Sequence, residues 1–446
     1  MHIGDMLPLG GEICSCGRVH PVPDCRVEIG KGAIGTLGDI LGGFGAKRVF
    51  LLADQNTYAV AGEKTEDACR RAGVSVKAYV FPAGKVEPDE HFVGKAMLHF
   101  DAACDAIVGV GSGVINDIGK VLASVAKVPY VIVGTAPSMD GYASSSSSME
   151  RDGLKVSLPT KTPDAIIGDT EILATAPLKM AVSGLGDMLA KYVSICEWRI
   201  AHLLIGEDYC EEIASAVRGA LAVCVQGAEG LLRKDESVLA AVFEGLVLSG
   251  AAMTYAGLSR PASGVEHYIS HVWDMRAAAK LGSADMHGLQ CAVGTVTAVS
   301  LYEKLMQTQP DRARALAFAD AFDFAAWSEE LRRLVGAGAE AMLAAEEKDG
   351  KYDKAKHAVR LEKILAHWEE ILRIAKEELP SLSSLRELCE KIGAPIKPQD
   401  VGQSADILPD TIRASKDIRD KYVLSRLLWD LGLLDEFAEA AKEELR

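Results

Sequence analysis

The chain has 446 residues, of which 49% are hydrophobic and 25% charged, with a formal net charge of −15. This size and composition predict a globular protein with two domains. The acidic balance argues against nucleic acid or an anionic membrane as the main partner, although a local pocket could still bind an anionic small molecule. The start of the chain lacks a signal-peptide pattern, no stretch approaches the ~20 apolar residues of a membrane span, and the 10 cysteines are scattered. We therefore expect a cytoplasmic protein with free thiols.

The first unusual feature is a group of possible metal ligands near the N-terminus, made of Cys14, Cys16, His20 and Cys25. Three thiols and an imidazole could hold a structural zinc ion. The C-x-C spacing is tighter than the usual C-x2-C spacing, and an exposed N-terminal strand with unpaired thiols is the alternative. The sequence leaves both interpretations open.

From Gly30 to Pro177, short apolar runs alternate with amphipathic segments. Strands that alternate with helices pair in parallel through right-handed crossovers. Residues 1–177 are therefore predicted to form an α/β, Rossmann-like nucleotide-binding domain, which also contains a hairpin with an Asp152-Gly153 turn. The predicted strands are 48–54, 74–81, 106–113 and 129–138, with a last strand and its exit at 165–177.

Three loops of this domain follow strands, where doubly wound sheets bind their ligands. The glycine-rich turn from Gly109 to Asp117 enters a helix, so its amides could approach a phosphate closely; a tight turn without a ligand is the alternative. The second loop contains small hydroxyl residues, and its Asp140 could accept hydrogen bonds from a polyol. Asp54, after the strand at 48–54, could bind a ribose hydroxyl or simply begin a helix.

The remainder of the chain, residues 178–446, is predicted to be an all-α domain. Residues 340–379 are strongly charged, which indicates a solvated helical excursion rather than a functional charge patch. The periodic apolar positions that define the other predicted helices run through 179–205, 208–233, 236–257, 264–280 and 287–306.

Three of the 10 histidines, His267, His271 and His287, lie in one short span of this domain. With Asp187 from an earlier helix, they indicate a metal site. One carboxylate and two imidazoles leave coordination positions open, which is typical of catalytic metal sites. A divalent cation held there would lower the pKa of a substrate hydroxyl group.

Residues close to these candidate ligands could support them. His271 lies one helical turn after His267, so it could be a fourth ligand, a hydrogen-bond partner of the substrate or a proton relay. Glu266 and Asp285 are candidates for orienting the ligands.

Five motifs, in this order, resemble the sn-glycerol-1-phosphate dehydrogenase family and most closely its AraM-like bacterial branch. They are GSGVIND (111–117), TAPSMDGYAS (135–144), SGLGDMLAKYVS (183–194), SGVEHYISH (263–271) and MHG (286–288). The resemblance covers about residues 29–305 and extends to the superfamily of dehydroquinate synthase, glycerol dehydrogenase and iron-dependent alcohol dehydrogenases. It implies a cytoplasmic, often dimeric enzyme that reduces dihydroxyacetone phosphate to sn-glycerol 1-phosphate with NAD(P)H and one divalent metal, zinc or nickel.

The resemblance also implies roles for particular residues. Asp187, His267 and His287 match the metal ligands. Asp140, Asp187 and His271 match substrate-binding positions, with Asp187 and His271 in the catalytic role, and Asp54 is a further candidate for the cofactor. The dinucleotide contacts match Gly113, Val114, Ile115, Asn116, Asp117, Thr135, Ala136, Pro137, Ser138 and Ser144.

Single residues separate the chain from its relatives. Iron alcohol dehydrogenases place a histidine ligand where this chain has Lys191. Dehydroquinate synthases have a Glu at the position that matches Asp187. A phosphorylated substrate requires a cationic or amide grip, for which Arg260 and the amides of Ser263 and Gly264 are candidates. A dehydrogenase of free polyols, an NAD-using cyclase and a non-catalytic nucleotide-binding protein are the alternative functions, and NAD versus NADP stays open.

Overall fold

The computed structural model describes residues 1–7, 9, 13–151 and 154–446. It divides into two compact units, each built from two stretches of chain. The first unit comprises Met1–Met188 and Glu211–Ser259, and the second comprises Leu189–Cys210 and Arg260–Arg446.

The strands all lie in the first unit. A six-stranded parallel sheet has the order β1-β8-β5-β4-β2-β3, and β6 and β7 form a separate antiparallel pair. The Asp152-Gly153 turn predicted for this pair lies outside the described residues. The bounds are β1 Arg26–Gly30, β2 Arg48–Asp54, β3 Ser75–Phe81, β4 Ala106–Gly111, β5 Tyr130–Gly134, β6 Ser146–Arg151, β7 Leu154–Pro159 and β8 Ala165–Asp169.

Helices make up most of the remaining chain. Their bounds are α1 Ile3–Met6, α2 Leu37–Gly43, α3 Gln55–Thr57, α4 Glu63–Arg71, α5 Glu90–His99, α6 Gly113–Ala126, α7 Thr170–Leu173, α8 Leu178–Leu189, α9 Lys191–Ile205, α10 Glu211–Gln226, α11 Glu236–Ala256, α12 Val265–Ala278, α13 His287–Met306, α14 Arg312–Ala321, α15 Phe324–Val335, α16 Gly338–Asp349, α17 Lys354–Ala366, α18 Trp368–Glu378, α19 Leu382–Ile392, α20 Leu408–Ser415, α21 Leu424–Asp430 and α22 Leu434–Glu444.

The predicted α/β fold with a parallel sheet is confirmed. The inner strands β4, β5 and β8 are buried along their whole length, which explains their nearly continuous apolar runs. β2 lies between β3 and β4, so the chain leaves β2 toward one side of the sheet and returns on the other. This reversal is a topological switch point, the place where such sheets form their ligand crevice. Ala53 of β2 pairs with Val110 of β4, so Asp54 and the glycine-rich turn lie at the same edge.

The helix α11 corrects one expectation from the sequence. It has 21 residues and contains an 18-residue window with a mean hydropathy of 1.6, which is long and apolar enough for a membrane span. Its composition is explained by packing within the first unit: a Cβ added to Gly134 or Gly168 would lie 2.7 or 2.5 Å from the Phe243 ring. The helix therefore lies directly against the ends of β5 and β8, as a core helix does.

The second unit contains only helices among its described residues. The predicted helical segments 264–280 and 287–306 correspond to α12 and α13, whereas 179–205 is divided between α8 and α9. The charged excursion at 340–379 consists of α16, α17 and α18, and it is less solvated than predicted. Glu346 and His357 are buried there, because Lys351 pairs with Glu346 and the Asp430 carbonyl bonds the His357 ring.

The division into units differs from the boundary predicted at Pro177. The helices α8, α10 and α11 belong mainly to the sheet-containing unit, although they follow that boundary. The reason is burial: α11 packs on the strand ends and α8 packs on the loop after β5. The change in sequence pattern at Pro177 shows where the strands end. It does not show which of the following helices pack back onto the sheet.

Candidate active site

The glycine-rich turn joins β4 to α6 at the switch point of the sheet. A Cβ on Gly111 would lie 2.5 Å from the Cβ of Ile115, so this position accepts only glycine without a rearrangement. The Ser112 side chain makes no capping hydrogen bond at the start of α6. The first amides of this 14-residue helix are therefore left for an anion, and the helix dipole favours negative charge there. The predicted contacts Gly113, Val114 and Ile115 form this first turn.

Asp54 caps a helix at the end of β2. Its Oδ1 accepts the Thr57 amide at 2.8 Å, and the Thr57 hydroxyl accepts the Asp54 amide at 3.1 Å. Asp54 therefore begins a helix, which was the alternative to ribose binding that the sequence left open. Because Asp54 lies beside the glycine-rich turn, the same side chain stays a candidate for the ribose.

Lys120 is a buried cation that sequence reasoning missed. Its Nζ donates to the Gly141 carbonyl at 3.2 Å and to Ser144 Oγ at 3.1 Å, and it pairs with Asp117 at 3.2 Å. Burial lowers the pKa of Lys120, and the Asp117 carboxylate acts in the opposite direction. The signal was a lysine three residues after Asp117 on the apolar face of a helix. Through Lys120, α6 holds the loop that carries Asp140.

Several predicted cofactor residues are therefore also structural. Asn116 Nδ2 donates to the Gly141 carbonyl at 3.1 Å, and Ser144 Oγ donates to the Ser146 carbonyl at 2.8 Å. The Thr135 amide donates to the Gly111 carbonyl at 3.0 Å, which joins the loop after β5 to the glycine-rich turn. The two predicted dinucleotide loops are thus held together as one surface, in which backbone amides are the groups best placed for phosphate.

Asp187 lies on α8, which is locked onto the loop after β5. A Cβ on Gly184 would lie 1.9 Å from the Pro137 carbonyl oxygen, so helix and loop touch backbone to backbone. Ser183 Oγ donates to the Ser138 carbonyl at 3.1 Å. The Asp140 amide donates to Asp187 Oδ2 at 2.9 Å. The loop residues 135–138 and the candidate ligand Asp187 therefore share one rigid support.

Asp140 itself is buried beside this contact. Ser249 Oγ of α11 donates to Asp140 Oδ2 at 2.9 Å. A Cβ on Gly250 would lie 2.5 Å from the Asp140 carbonyl oxygen, so α11 approaches this loop closely. The structure thus joins the predicted pair Asp140 and Asp187 in the first unit.

In the second unit, the helices α12 and α13 cross at Gly294. A Cβ there would lie 2.4 Å from the Glu266 carbonyl oxygen, so the two backbones are in contact. His287, Cys291 and Gly294 are spaced by four and three residues on α13, which places them on one helix face. That face meets α12 next to His267. The close crossing therefore explains how two histidines 20 residues apart reach each other.

The rings of His267 and His287 lie with their centroids 5.0 Å apart. Glu266 Oε1 lies 2.8 Å from His267 Nδ1, and Ser270 Oγ lies 3.3 Å from His287 Nδ1. An ionised carboxylate only accepts, so His267 carries its proton on Nδ1 and presents the lone pair of Nε2. Metal-binding histidines commonly donate one ring N–H to a carboxylate in this way, and Glu266 is the orienting residue that the sequence predicted.

Cys291 is a candidate ligand that sequence reasoning missed. Its Sγ lies 3.6 Å from His287 Nε2, and the ligand atoms of His267, His287 and Cys291 lie within 4.8 Å of one another. Burial acts to raise the pKa of this thiol, but His267 and His287 outweigh burial and the pKa is lowered. The spacing H-x3-C was the available signal. Asp285, predicted as a second orienting residue, accepts the Met286 amide at 2.7 Å at the start of α13.

His271 lies beside this group rather than within it. Its ring is stacked on His287 at 5.8 Å, and His271, Asp274 and His287 form a second group of ligand atoms within 4.8 Å. Burial lowers the pKa of His271 to about 3, and the Asp274 carboxylate only partly offsets this. Its Nδ1 is buried without a hydrogen-bond partner among the described residues. His271 is therefore neutral at physiological pH and retains an unused ring nitrogen.

A second carboxylate, Glu197, supports the start of α12. It accepts the amides of Val265 and Leu424 at 2.9 and 2.8 Å. Burial raises the pKa of Glu197 to about 8, and the charge of Glu266 adds to this effect.

The prediction that Arg260 binds phosphate is wrong. The side chain is buried, its Nε donates to Glu207 Oε1 at 2.8 Å and its Nη1 donates to the Tyr422 carbonyl at 3.0 Å. A second bond joins Arg260 Nη2 to Glu207 Oε2 and makes the pair bidentate. One of the two amides of the predicted phosphate grip is also engaged, since the Gly264 amide donates to Glu266 Oε1 at 2.6 Å. Ser263 is buried and its carbonyl accepts Lys421 Nζ at 2.8 Å.

Lys191, which replaces the histidine of iron alcohol dehydrogenases, also has a structural contact. The side chain is fully buried, and its Nζ donates to the Ala262 carbonyl at 3.1 Å. A lysine ammonium offers donors only, so at this position it supports the segment before α12 and cannot ligate a metal while charged.

Residues 28–177 match the iron-containing alcohol dehydrogenase family. The chain is 32% identical over 294 residues to a glycerol-1-phosphate dehydrogenase (NAD(P)+) of Halalkalibacterium halodurans, covering 65% of this chain and 74% of the relative. It is 26% identical over 425 residues to the enzyme of the same name from Bacillus licheniformis, covering 94% and 93%. A glycerol dehydrogenase structure from Schizosaccharomyces pombe aligns with a TM-score of 0.60 at 18% identity, covering 96% and 92%.

The glycine-rich switch point of the sheet lies within residues 28–177, the part of the chain that matches the iron-containing alcohol dehydrogenase family of oxidoreductases. The expectation of this superfamily is confirmed. Within that class, the chain belongs to the glycerol-1-phosphate dehydrogenase family.

Proposed function

We propose that this protein catalyses the reversible, NAD(P)H-dependent reduction of dihydroxyacetone phosphate to sn-glycerol 1-phosphate. The observation that carries the proposal is the pair of imidazoles on α12 and α13, with Glu266 behind His267. The family membership specifies the substrate, since the relatives are named for glycerol 1-phosphate. We further propose a cytoplasmic homodimer that acts on small molecules and requires neither nucleic acid nor a membrane.

We propose Asp187, His267 and His287 as ligands of one divalent metal ion, zinc or nickel. The residues fit such an ion, because two imidazoles and a carboxylate suit either metal and because the Nδ1 atom of His267 is already held by Glu266. When bound, the metal polarises the substrate carbonyl and the reduced dinucleotide supplies the hydride. Cys291 Sγ lies 3.6 Å from His287 Nε2 and would be a further candidate ligand of the ion.

The chain's own residues would position the substrate. Asp187 is fixed by the Asp140 amide, so its carboxylate needs no reorganisation when substrate arrives. Asp140 is proposed to accept a substrate hydroxyl group with its remaining acceptor capacity. His271, neutral because burial lowers its pKa to about 3, can donate through one ring nitrogen and accept through the other. We propose that it relays the proton to the product through this neutral ring.

The dinucleotide is proposed to lie across the switch point, with its pyrophosphate on the amides of residues 113–115. The loop residues 135–138 and Ser144 would line the same surface, since the Thr135 amide is bonded to Gly111. Asp54 would face the adenine ribose, and its negative charge would disfavour a 2′-phosphate there. This predicts a preference for NADH over NADPH.

With Arg260 excluded, we propose Arg419 as the residue that recognises the substrate phosphate. It is partly exposed, and no ion pair of its guanidinium is found in the described part of the chain. Its positive charge contributes to lowering the pKa of both His271 and Lys421, which places it near the histidine group. Burial holds the pKa of Lys421 well below its usual value, whereas an arginine guanidinium stays charged. Arg419 is therefore the better candidate for binding a phosphate than Lys421.

Replacing Arg419 with alanine is expected to raise KM for dihydroxyacetone phosphate by about 10- to 100-fold, because a charge-assisted hydrogen bond contributes about 1.5–3 kcal/mol. Turnover of dihydroxyacetone should change little, since that ketone has no phosphate. Steady-state kinetics give KM and kcat for dihydroxyacetone phosphate and for dihydroxyacetone, and the two sets of values are compared. The matched control is Arg373→Ala, which removes an exposed arginine paired with Glu377. Equal effects of Arg419→Ala on both ketones would contradict the assignment.

The function itself is tested by following NADH absorbance with purified protein and three substrates: dihydroxyacetone phosphate, dihydroxyacetone and the phosphorylated substrate of a dehydroquinate synthase. We expect kcat/KM to be highest for dihydroxyacetone phosphate, and the product to be the sn-1 rather than the sn-3 enantiomer. Preference for dihydroxyacetone would instead indicate a polyol dehydrogenase. Conversion of the third substrate without net NADH consumption would indicate a cyclase.

A further inference from the structure

A group of metal-ligand atoms lies in the N-terminal segment, outside the candidate active site. The sulfur atoms of Cys14 and Cys16 and a ring nitrogen of His20 lie within 4.8 Å of one another. A tight turn brings the two thiols together: the Gly17 amide donates to the Cys14 carbonyl at 2.8 Å, and Gly17 has a φ of +81°, which only glycine adopts readily. The C-x-C spacing, tighter than usual, is thus accommodated by this turn.

The orientation of His20 suits a metal. The ring is buried, and its Nδ1 lies 2.9 Å from the Tyr255 carbonyl oxygen at the end of α11. A carbonyl only accepts, so Nδ1 carries the proton and Nε2 presents its lone pair. That nitrogen lies 3.3 Å from Cys16 Sγ. A histidine whose other nitrogen is held by a carbonyl is the usual arrangement of a zinc ligand.

A simple thiol-to-imidazole hydrogen bond would explain the Cys16–His20 contact alone. It would not explain why Cys14 converges on the same point. Zinc–sulfur and zinc–nitrogen bonds of about 2.3 and 2.0 Å at a tetrahedral angle separate the two ligand atoms by about 3.5 Å. The 3.3 Å between Cys16 Sγ and His20 Nε2 is close to that separation.

The third thiol expected from the sequence, Cys25, is not part of this group in the described residues. It is buried at the start of β1, where its Sγ faces the Arg26 carbonyl at 3.8 Å, and burial raises the pKa of this thiol well above its usual value.

We propose that Cys14, Cys16 and His20 bind a zinc ion distinct from the catalytic metal. Two thiolates and one imidazole form a soft donor set that selects zinc over hard cations. Zinc binding would release the thiol protons. The ion would fasten the N-terminal segment to the end of α11, where Arg18 also reaches the Ala256 carbonyl at 3.5 Å.

The test uses the full-length protein with the first metal group removed by His267→Ala, His287→Ala and Cys291→Ser. Elemental analysis should still find about one zinc per chain in this background. Adding Cys14→Ser and Cys16→Ser should abolish it, whereas adding the matched control Cys25→Ser should leave it unchanged. Cobalt alone, added to the zinc-free background, should produce a thiolate-to-cobalt charge-transfer absorption that the Cys14→Ser, Cys16→Ser protein lacks.

A second measurement avoids variants that fail to fold. In the unmodified protein, Cys14 and Cys16 should be protected from alkylation and become reactive after zinc is chelated, as read by mass spectrometry. A background protein without zinc, zinc retained after loss of Cys14 and Cys16, or alkylation that chelation does not change would overturn the proposal.

Discussion

Replacing His287 with alanine is expected to lower kcat for dihydroxyacetone phosphate by about 10³-fold or more and to remove the catalytic metal. The imidazole shares one group of ligand atoms with His267 and Cys291, so its loss removes a principal ligand of the proposed metal. A metal that polarises a carbonyl contributes several kcal/mol to the transition state, and each 1.36 kcal/mol corresponds to about a factor of ten in rate. Elemental analysis and NADH-linked kinetics measure both effects.

The matched control is His367→Ala, which removes an exposed histidine of the same unit and should leave metal content and kcat unchanged. Asp187→Asn keeps the shape of the third proposed ligand and removes its charge, so it should reduce both quantities as well. If His287→Ala retained the metal and the rate, the metal centre would be assigned wrongly. If Asp187→Asn alone retained the metal content and kcat, the histidines would remain assigned as metal ligands and Asp187 would not.

Replacing Arg260 with alanine is expected to lower the free energy of unfolding by about 3–5 kcal/mol, because it leaves one partner of a buried ion pair uncompensated. The Arg260 side chain is 1% exposed and Glu207 is 21% exposed, so the carboxylate recovers part of this loss from water and the lower value is the better expectation. Denaturant unfolding measures the change. The ratio of KM values for phosphorylated and free ketone should stay constant, since Arg260 does not reach substrate.

The control for this experiment is Arg332→Ala, an exposed arginine paired with Glu340, which should change stability little. A double-mutant cycle with Glu207→Ala isolates the coupling between the two charges. A stable Arg260→Ala protein with a selectively raised KM for the phosphorylated ketone would restore the phosphate role and contradict the geometry.

Local patterns in the sequence were sufficient for much of the fold. The strand predicted at 48–54 is Arg48–Asp54, and the helix predicted at 287–306 is His287–Met306. Such elements are encoded by the period of apolar residues, by glycines at turns and by capping residues, all of which act over a few positions. The orienting role of Glu266 could also be predicted from the sequence, because Glu266 is adjacent to His267.

The roles that sequence reasoning missed depend on partners far away along the chain. Arg260 lies 53 residues from Glu207, and its charge indicated a ligand until the pairing was seen. Cys291 is four residues from His287, yet only the crossing of α12 and α13 at Gly294 brings His267 to the same point. Lys120 becomes a structural residue only because the loop carrying Gly141 folds over α6.

The sequence by itself determined the class of fold, the glycine-rich turn, the family and the candidate ligands Asp187, His267 and His287, because these depend on residue type and short spacing. The tertiary structure decided which charged residues are paired and buried, and which helices return to the sheet. Pairing depends on the burial of side chains by distant elements, and burial is a property of the packed chain. That is why Arg260 became structural, Arg419 became the phosphate candidate and Cys25 was separated from Cys14, Cys16 and His20.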